Sequence, residues 1–346
     1  MGILLNATEL PSKDLLAVYH AFEYAMFAFT ILIVGYTLTV MSISPSKGLG
    51  KYKWYLIHGI IWGFFFDAMS SLIGAVTLFP LPCYYGVNLA SKITGNMQIF
   101  YFWVGANCMI GKIYATFIQF EHRFQQALPL DSWYRTFLGF LHGRYEIHIR
   151  VLLYLFVFAT VNIPWVMLLP NQEDQRSFLS NMDPVLAWIY HENPSTTCFS
   201  GGVSSLIANI AAAWGALLVL AQVFLLFFIY VSIHQSKFTP NTYRLQMMLF
   251  WSLVAQMVVL FVFMMGPGIL YLAGATLGLR NMPRISVYCF FFFVSHTTVD
   301  SLMLLFFIKP YRRVVLLSVR RILNTTNILD QRSTVSGTTV EIKMVK

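Results

Sequence analysis

The chain has 346 residues, of which 58% are hydrophobic and only 11% charged, and its mean hydropathy is +0.66. A soluble domain carries about a quarter charged residues, so this composition excludes a soluble enzyme or a nucleic-acid-binding module and leaves a polytopic membrane protein. The net charge of +9 does not argue for nucleic acid, because its meaning depends on which loops hold it.

Residues 1–16 form a short polar lead, in which Asn6-Ala7-Thr8 fits the N-glycosylation acceptor pattern. Such three-residue patterns also arise by chance. The lead lacks the basic flank and short apolar core of a cleavable signal, so the first span is expected to act as the anchor. That span covers 17–43, with His20 and Glu23 one turn apart near its start. The loop SPSKGLGKYK follows, carrying Lys47, Lys51 and Lys53. The second span, 54–79, contains His58, Asp67 and the pair Gly59 and Gly63, a spacing that lets another backbone approach closely, within the bundle or between two copies. Cys83 lies in the loop 80–92.

The third span, 93–120, carries Lys112 and closes in Glu121-His122-Arg123. A lysine inside a lipid-spanning helix is costly and should face protein, which makes this span the centre of the bundle. The connection 121–149 holds Arg123, Arg135 and Arg144, and the fourth span, 151–170, includes Pro164. The loop 171–200 is acidic and ends near Cys198, and the fifth span, 203–233, has no charge. After HQSKFTPNTYR, with Lys237 and Arg244, comes the sixth span, 246–274. Its Pro267 removes a backbone donor and frees the carbonyl of Phe263, so a kink is expected there. The seventh span, 285–308, contains His296 and Asp300 and leads into Lys309-Pro310-Tyr311-Arg312-Arg313. Residues 309–324 read as a surface helix, with Val315, Leu316, Val319, Ile322 and Leu323 on one side and Arg313, Arg320 and Arg321 on the other. Residues 325–346 are polar and are expected to form a disordered tail.

The loops after the first, third and fifth spans, with the tail, hold 17 of the 23 Lys and Arg, and the opposite segments hold five. This bias predicts an outer N-terminus and an inner C-terminus. The expected fold is therefore an all-α membrane protein, a seven-transmembrane-helix bundle followed by a short amphipathic helix. Lys112 lies eight residues before Phe120 and Asp300 eight before Ile308. Both are thus ~12 Å from the inner ends of their spans, whereas Asp67 is ~20 Å from its own. A buried Lys112–Asp300 pair is expected, with Asp67 as the weaker partner and snorkelling of Lys112 as the alternative. Cys83 and Cys198 both fall on the outer, oxidising side and are expected to form a disulfide, while Cys108 and Cys289 read as buried thiols. Tyr101, Trp103 and Tyr288 lie in outer halves of spans and are candidates to line a ligand pocket, with interfacial anchoring the simpler account of Tyr288. His58 and His296 read as satisfied core residues. No P-loop, HExxH or GxSxG occurs, and neither Asp67 nor Asp300 sits in a GxGD context, so no enzyme, metal or cofactor is expected.

The stretches KYKWYLIHGIIWGFFFD, FIQFEHRF, YRLQMMLFWSLVAQ and SHTTVDSLMLLFFIKPYRR, distributed from 51 to 313, resemble a nematode serpentine chemoreceptor of the Str superfamily, closest to class H (Srh). The resemblance implies a chemosensory G-protein-coupled receptor at the plasma membrane of ciliated neurons. It implies an odorant or pheromone-like ligand in the outer half of the bundle and a heterotrimeric G protein on the inner face. By that resemblance Glu121 and Arg123 match the family's acidic-x-Arg motif, although His122 stands where Asn is expected and Phe124 replaces an aromatic hydroxyl. Lys237, Arg244, Tyr311 and Arg312 would share the G-protein-facing surface, and Pro267 would hinge the sixth span. Phosphorylation of the Ser/Thr-rich tail would recruit an arrestin-like partner, and the basic juxtamembrane residues would meet anionic lipid. A ligand-gated seven-helix channel of opposite topology and a small-molecule transporter are the other classes, though no internal repeat favours the transporter.

Overall fold

The computed structural model describes residues 6–44, 50–79, 81, 83–92, 96–128, 145–167, 171–199, 201–236, 238–277 and 279–321. Lys237, the stretch 129–144 with Arg135 and Arg144, and everything beyond 321, including the expected tail, lie outside them.

Helix starts follow local capping chemistry. Ser12 accepts the Leu15 N–H to open α1 (Lys13–Ile43). α2 (Tyr52–Ile73) stops at Gly74, whose φ of +56° forms a left-handed cap. α3 (Asn96–Ala127) and α4 (Glu146–Met167) follow. Between α4 and the next long helix lie α5 (Gln172–Met182), capped by Asn171, and α6 (Pro184–Glu192), capped by Asp183 with proline in its first turn. α7 is Gly201–Gln235. Thr239 caps α8 (Pro240–Leu260), which passes through a π-helical turn, Phe261–Met265, into α9 (Gly266–Leu277). α10 (Met282–Phe307) completes the bundle, and a helical segment, α11, covers 309–321.

Among the described residues, six helices are long and apolar enough to cross a membrane: α1, α2, α4, α7 from Ala212, the α8–α9 run and α10. α3 is equally long but more polar. It packs chiefly on α2 and α7, and its Asn107, Lys112, Thr116, Gln119, His122 and Arg123 are all buried. A helix ringed by others can carry polar groups that lipid would not tolerate. The outward faces are apolar, with Leu32, Leu152, Val166 and Phe224 all more than 60% exposed, as a surface against lipid chains requires.

Several boundaries differ from the sequence-based expectation. α3 does not end at Phe120 but runs to Ala127, because His122 and Arg123 are buried against α2 instead of meeting water. The fourth span begins five residues early at Glu146, whose carboxylate is held by Tyr55, Arg150 and Lys51. The described parts of 80–92 and 171–200 carry regular structure. β1 (Ala75–Thr77), β2 (Cys83–Gly86) and β3 (Thr197–Cys198) form an antiparallel sheet in the order β1-β2-β3, with Cys83 opposite Cys198 and Tyr84 opposite Thr197. Pairing these strands satisfies backbone groups that are buried at this end of the bundle.

Gly59 and Gly63 serve packing within the chain. A methyl group on Gly59 would meet Gln119 Nε2 of α3 at 2.5 Å, and one on Gly63 would meet Thr297 Oγ1 of α10 at 2.7 Å. A methyl group on Gly111 of α3 would likewise meet the Trp62 ring at 2.5 Å. α2 is therefore wedged between α3 and α10. α11 packs Val314 and Val315 on the core formed by Tyr52, Leu56, Leu304 and Ile308. Its Leu316, Leu317 and Val319 remain exposed, beside exposed Arg320 and Arg321.

Candidate functional site

The disulfide Cys83–Cys198 joins β2 to β3 across a sequence separation of 115 residues. Around it, Asn88 ties three segments together. It donates to Glu23 of α1 and to the Ser71 carbonyl of α2 (2.7 Å), and its Oδ1 lies 2.7 Å from His20 Nδ1. Arg284 of α10 donates to the carbonyls of Thr8 and Leu10 (2.6 and 3.0 Å), holding the N-terminal lead against the last span. Asn6 is exposed in that lead and accepts the Thr8 N–H. Burial pushes the Tyr190 phenol up to about 12, the nearby Arg176 guanidinium opposing the shift.

Beneath this cap lies a cavity of about 580 Å³ between α2, α3, α4, α7, the α8–α9 junction and α10. Its walls are largely aromatic and apolar, including Phe66, Phe102, Trp165, Phe290 and Phe293. Asn107 of α3 and Asn162 of α4 exchange two hydrogen bonds, of 2.9 and 2.8 Å, across one wall. Each also donates to the carbonyl one turn earlier in its own helix, so their donors are fully used. Met264 and Met265, from the π turn, form part of the lining. Trp103 lines this cavity, but Tyr101 and Tyr288 do not. Two residues apart on a helix means about 200° of rotation, so Tyr101 and Trp103 cannot share a face. Tyr288 is 53% exposed on the outside of α10, the orientation of an interfacial anchor.

Deeper in the bundle, Lys112 Nζ lies 2.5 Å from Asp300 Oδ2, both side chains nearly inaccessible. Gln256 of α8 reaches Asp300 Oδ1 at 3.5 Å and Gln119 of α3 at 3.3 Å. Gln119 in turn donates to the Tyr55 carbonyl of α2 at 3.1 Å. Four spans therefore share one polar network. Asp67 is buried outside it. It takes no part in the network's hydrogen bonds, and the Thr297 hydroxyl of α10 lies beside it. Partly buried His58 accepts from Trp62 Nε1 at 2.8 Å, whereas the Nδ1 of buried His296 has no hydrogen-bond partner among the described residues. Cys108 and Cys289 are free and buried.

At the opposite end from the disulfide, Arg123 is buried rather than displayed. Its guanidinium carbon sits 3.7 Å from the Tyr52 ring centroid, and Nη1 donates to Gln126 at 2.5 Å. Glu121 pairs with Arg150 of α4 at 2.8 Å, so the two ends of the acidic-x-Arg motif point to different neighbours. Tyr311 is fully buried too, which corrects its expected place on the exposed inner face. Burial pushes its phenol up, Tyr52 adds to the shift and Arg123 opposes it. Arg244 and Arg312 are exposed.

Several of these residues escaped the sequence reading. Asn107 and Asn162 are amides in the middle of apolar spans, a signal that marks interhelical hydrogen bonds. Tyr52, Tyr55 and Arg150 carried no such signal, because basic and aromatic residues near a span end are ordinary there.

No curated protein matches the chain. The family described as serpentine type 7TM GPCR chemoreceptor Srh matches residues 15–321, nearly the whole helical bundle. Seven spans, six of them strongly apolar and wrapped around a polar third, are what such a receptor requires, and the chain belongs to the Srh family of serpentine seven-transmembrane GPCR chemoreceptors.

Proposed function

We propose that the protein binds a small, largely apolar odorant or pheromone-like ligand in the cavity beneath the disulfide and signals to a heterotrimeric G protein from the Arg123 end. The N-terminus is outside and the C-terminus inside, as the 17-to-5 distribution of Lys and Arg supports. The protein then resides in the plasma membrane, in the sensory cilium of chemosensory neurons as the family's role suggests. The observation that carries this reading is that the cavity is lined by the π turn itself. Phe261, Met264 and Met265 belong to the turn and face the cavity, and Pro267 follows two residues later.

A ligand shifts an equilibrium only by binding one arrangement better than the other. Here it would press on the weakest point of the sixth span, where α-helical hydrogen bonding is already broken. Gln256 lies below that turn on the same helix and holds Asp300 and Gln119. Rotation of α8 would therefore reach the Lys112–Asp300 pair and pass toward Tyr52 and Arg123. Release of Arg123 from the Tyr52 ring would present a cation, with Arg244 and Arg312, to the G protein. The tail beyond 321 supplies Ser and Thr for an arrestin-like partner.

The test is a panel of volatile compounds applied to cells that report G-protein activation. Ala106 lines the cavity. Ala106→Phe fills it and is expected to abolish the response at unchanged surface level. A response that survives in Ala106→Phe would place the ligand elsewhere.

A further inference from the structure

Most of the cavity's polar groups are spoken for. The amide donors of Asn107 and Asn162 are consumed by each other and by their own helices. Two lining groups are not. Trp103 Nε1 and Ser70 Oγ are each buried without a hydrogen-bond partner among the described residues, whereas the Thr77 hydroxyl has the Tyr271 phenol beside it. Ser70 is 6% exposed. The two groups come from separate elements, α3 and α2, and both open on the same cavity. Leaving a buried donor unpaired is costly, and native structures rarely do it without a reason.

An indole N–H donates and cannot accept, so Trp103 calls for an acceptor. The Ser70 hydroxyl rotates and can donate to the same acceptor. Among the described residues no ionised side chain lines the cavity. A charged ligand would have no counter-charge there, and a pure hydrocarbon would leave both groups unpaired.

We infer that the cavity selects a neutral, mostly apolar molecule bearing a hydrogen-bond-accepting oxygen, such as a ketone or ester, which takes the Trp103 indole N–H and the Ser70 hydroxyl. This rests on the proposal that the cavity is the ligand site. The acceptor fixes orientation, and the aromatic walls supply the bulk of the contact. Sites of this kind are apolar with a few convergent polar groups. Specificity comes from rejecting the analogue that leaves those groups unpaired, which discriminates far better than a methylene does.

The test compares dicyclohexyl ketone with dicyclohexylmethane, two probes of similar shape that differ by one acceptor oxygen. Each is titrated into the full-length receptor in lipid nanodiscs, and the affinity is read from thermal stabilisation. The same titrations are run on Trp103→Phe, which keeps an aromatic ring and removes the donor, and on Ser70→Ala, a smaller change. Partitioning of each probe into lipid is common to all three receptors, so the ratio of the two affinities is compared between them. The wild type is expected to prefer the ketone by at least about tenfold. That preference should fall several-fold in each variant, with hydrocarbon affinity unchanged. Equal binding of both probes by the wild type would overturn the acceptor preference while leaving the cavity as the ligand site. A ketone preference undiminished in both variants would overturn the assignment to these residues. Saturating probe without stabilisation by either compound would remove both this inference and the cavity reading beneath it.

Discussion

At the scale of single residues, the pair Lys112–Asp300 sets the strongest constraint. A buried pair is a poor source of net stability, but removing one partner leaves a charge in a low-dielectric interior. Lys112→Ala or Asp300→Ala should each cost about 3–5 kcal/mol of receptor stability in detergent melts. The double variant should cost less than the sum of the two by more than about 1 kcal/mol. Additive losses would mean that the two charges do not act on one another. Gly74 makes a second, independent case. Its φ is +56°, and a methyl group there would meet the Asn88 side chain at 2.6 Å. Gly74→Ala should cost at least about 1–2 kcal/mol from backbone strain alone, with further loss from displacing Asn88, and a melting curve identical to the wild type would contradict that. The Lys112–Asp300 contact was legible in the sequence because two opposite charges sit at matching positions in their spans. That estimate placed the inner end of the third span at Phe120, whereas α3 runs to Ala127. The burial of Arg123 was not legible, because nothing in FIQFEHRF states which way the helix is turned. Only the packing of Tyr52 and Tyr311 does.

At the scale of elements, the most informative feature is the break in the sixth span. Pro267 announced a kink, and the helix answers with a full π turn, Phe261–Met265, in which the Gly266 N–H reaches back to the Phe261 carbonyl. The sequence places the proline but not the hydrogen-bond slip, which depends on how Met264 packs against Leu260 and Phe293. Pro267→Ala restores a donor and lets the span straighten. It should leave ligand affinity within about threefold and reduce maximal G-protein signalling, since hinge changes act on the transition more than on contacts. Unchanged efficacy would argue against a hinge there. The disulfide belongs to this scale as well. Closing a separation of 115 residues limits the unfolded chain and is worth about 4–5 kcal/mol on the chain-entropy account. Cys83→Ser, Cys198→Ser and the double variant should therefore be equally destabilised, because each removes the same bond. The two cysteines were readable from their side of the membrane. The sheet that aligns them, and the helices α5 and α6, were not, because 80–92 and 171–200 have neither the length nor the periodicity of a span. Their order comes from capping at Asn171 and Asp183 and from cross-strand pairing.

At the scale of the whole molecule, composition and hydropathy sufficed for the class of fold. Six spans stand out by apolarity alone, and the third is hidden by the polar residues that make it central. Orientation is a property of the loops. The positive charges gather at the end where Arg123, Arg244 and Arg312 lie, and the disulfide, the sheet and the exposed Asn6 gather at the other. The cavity lies beneath the disulfide, so on the proposed function ligand and G protein would meet opposite ends of one bundle, linked through Gln256 and the Lys112–Asp300 pair. A ligand-gated channel with an inner N-terminus would reverse this arrangement and put the disulfide in a reducing compartment. Topology therefore tests the account most directly. Epitope tags at both termini, probed on intact and on permeabilised cells, read it without a known ligand. The account predicts an N-terminal tag accessible on intact cells and a C-terminal tag accessible only after permeabilisation. The reverse pattern would contradict it and give the channel reading first place.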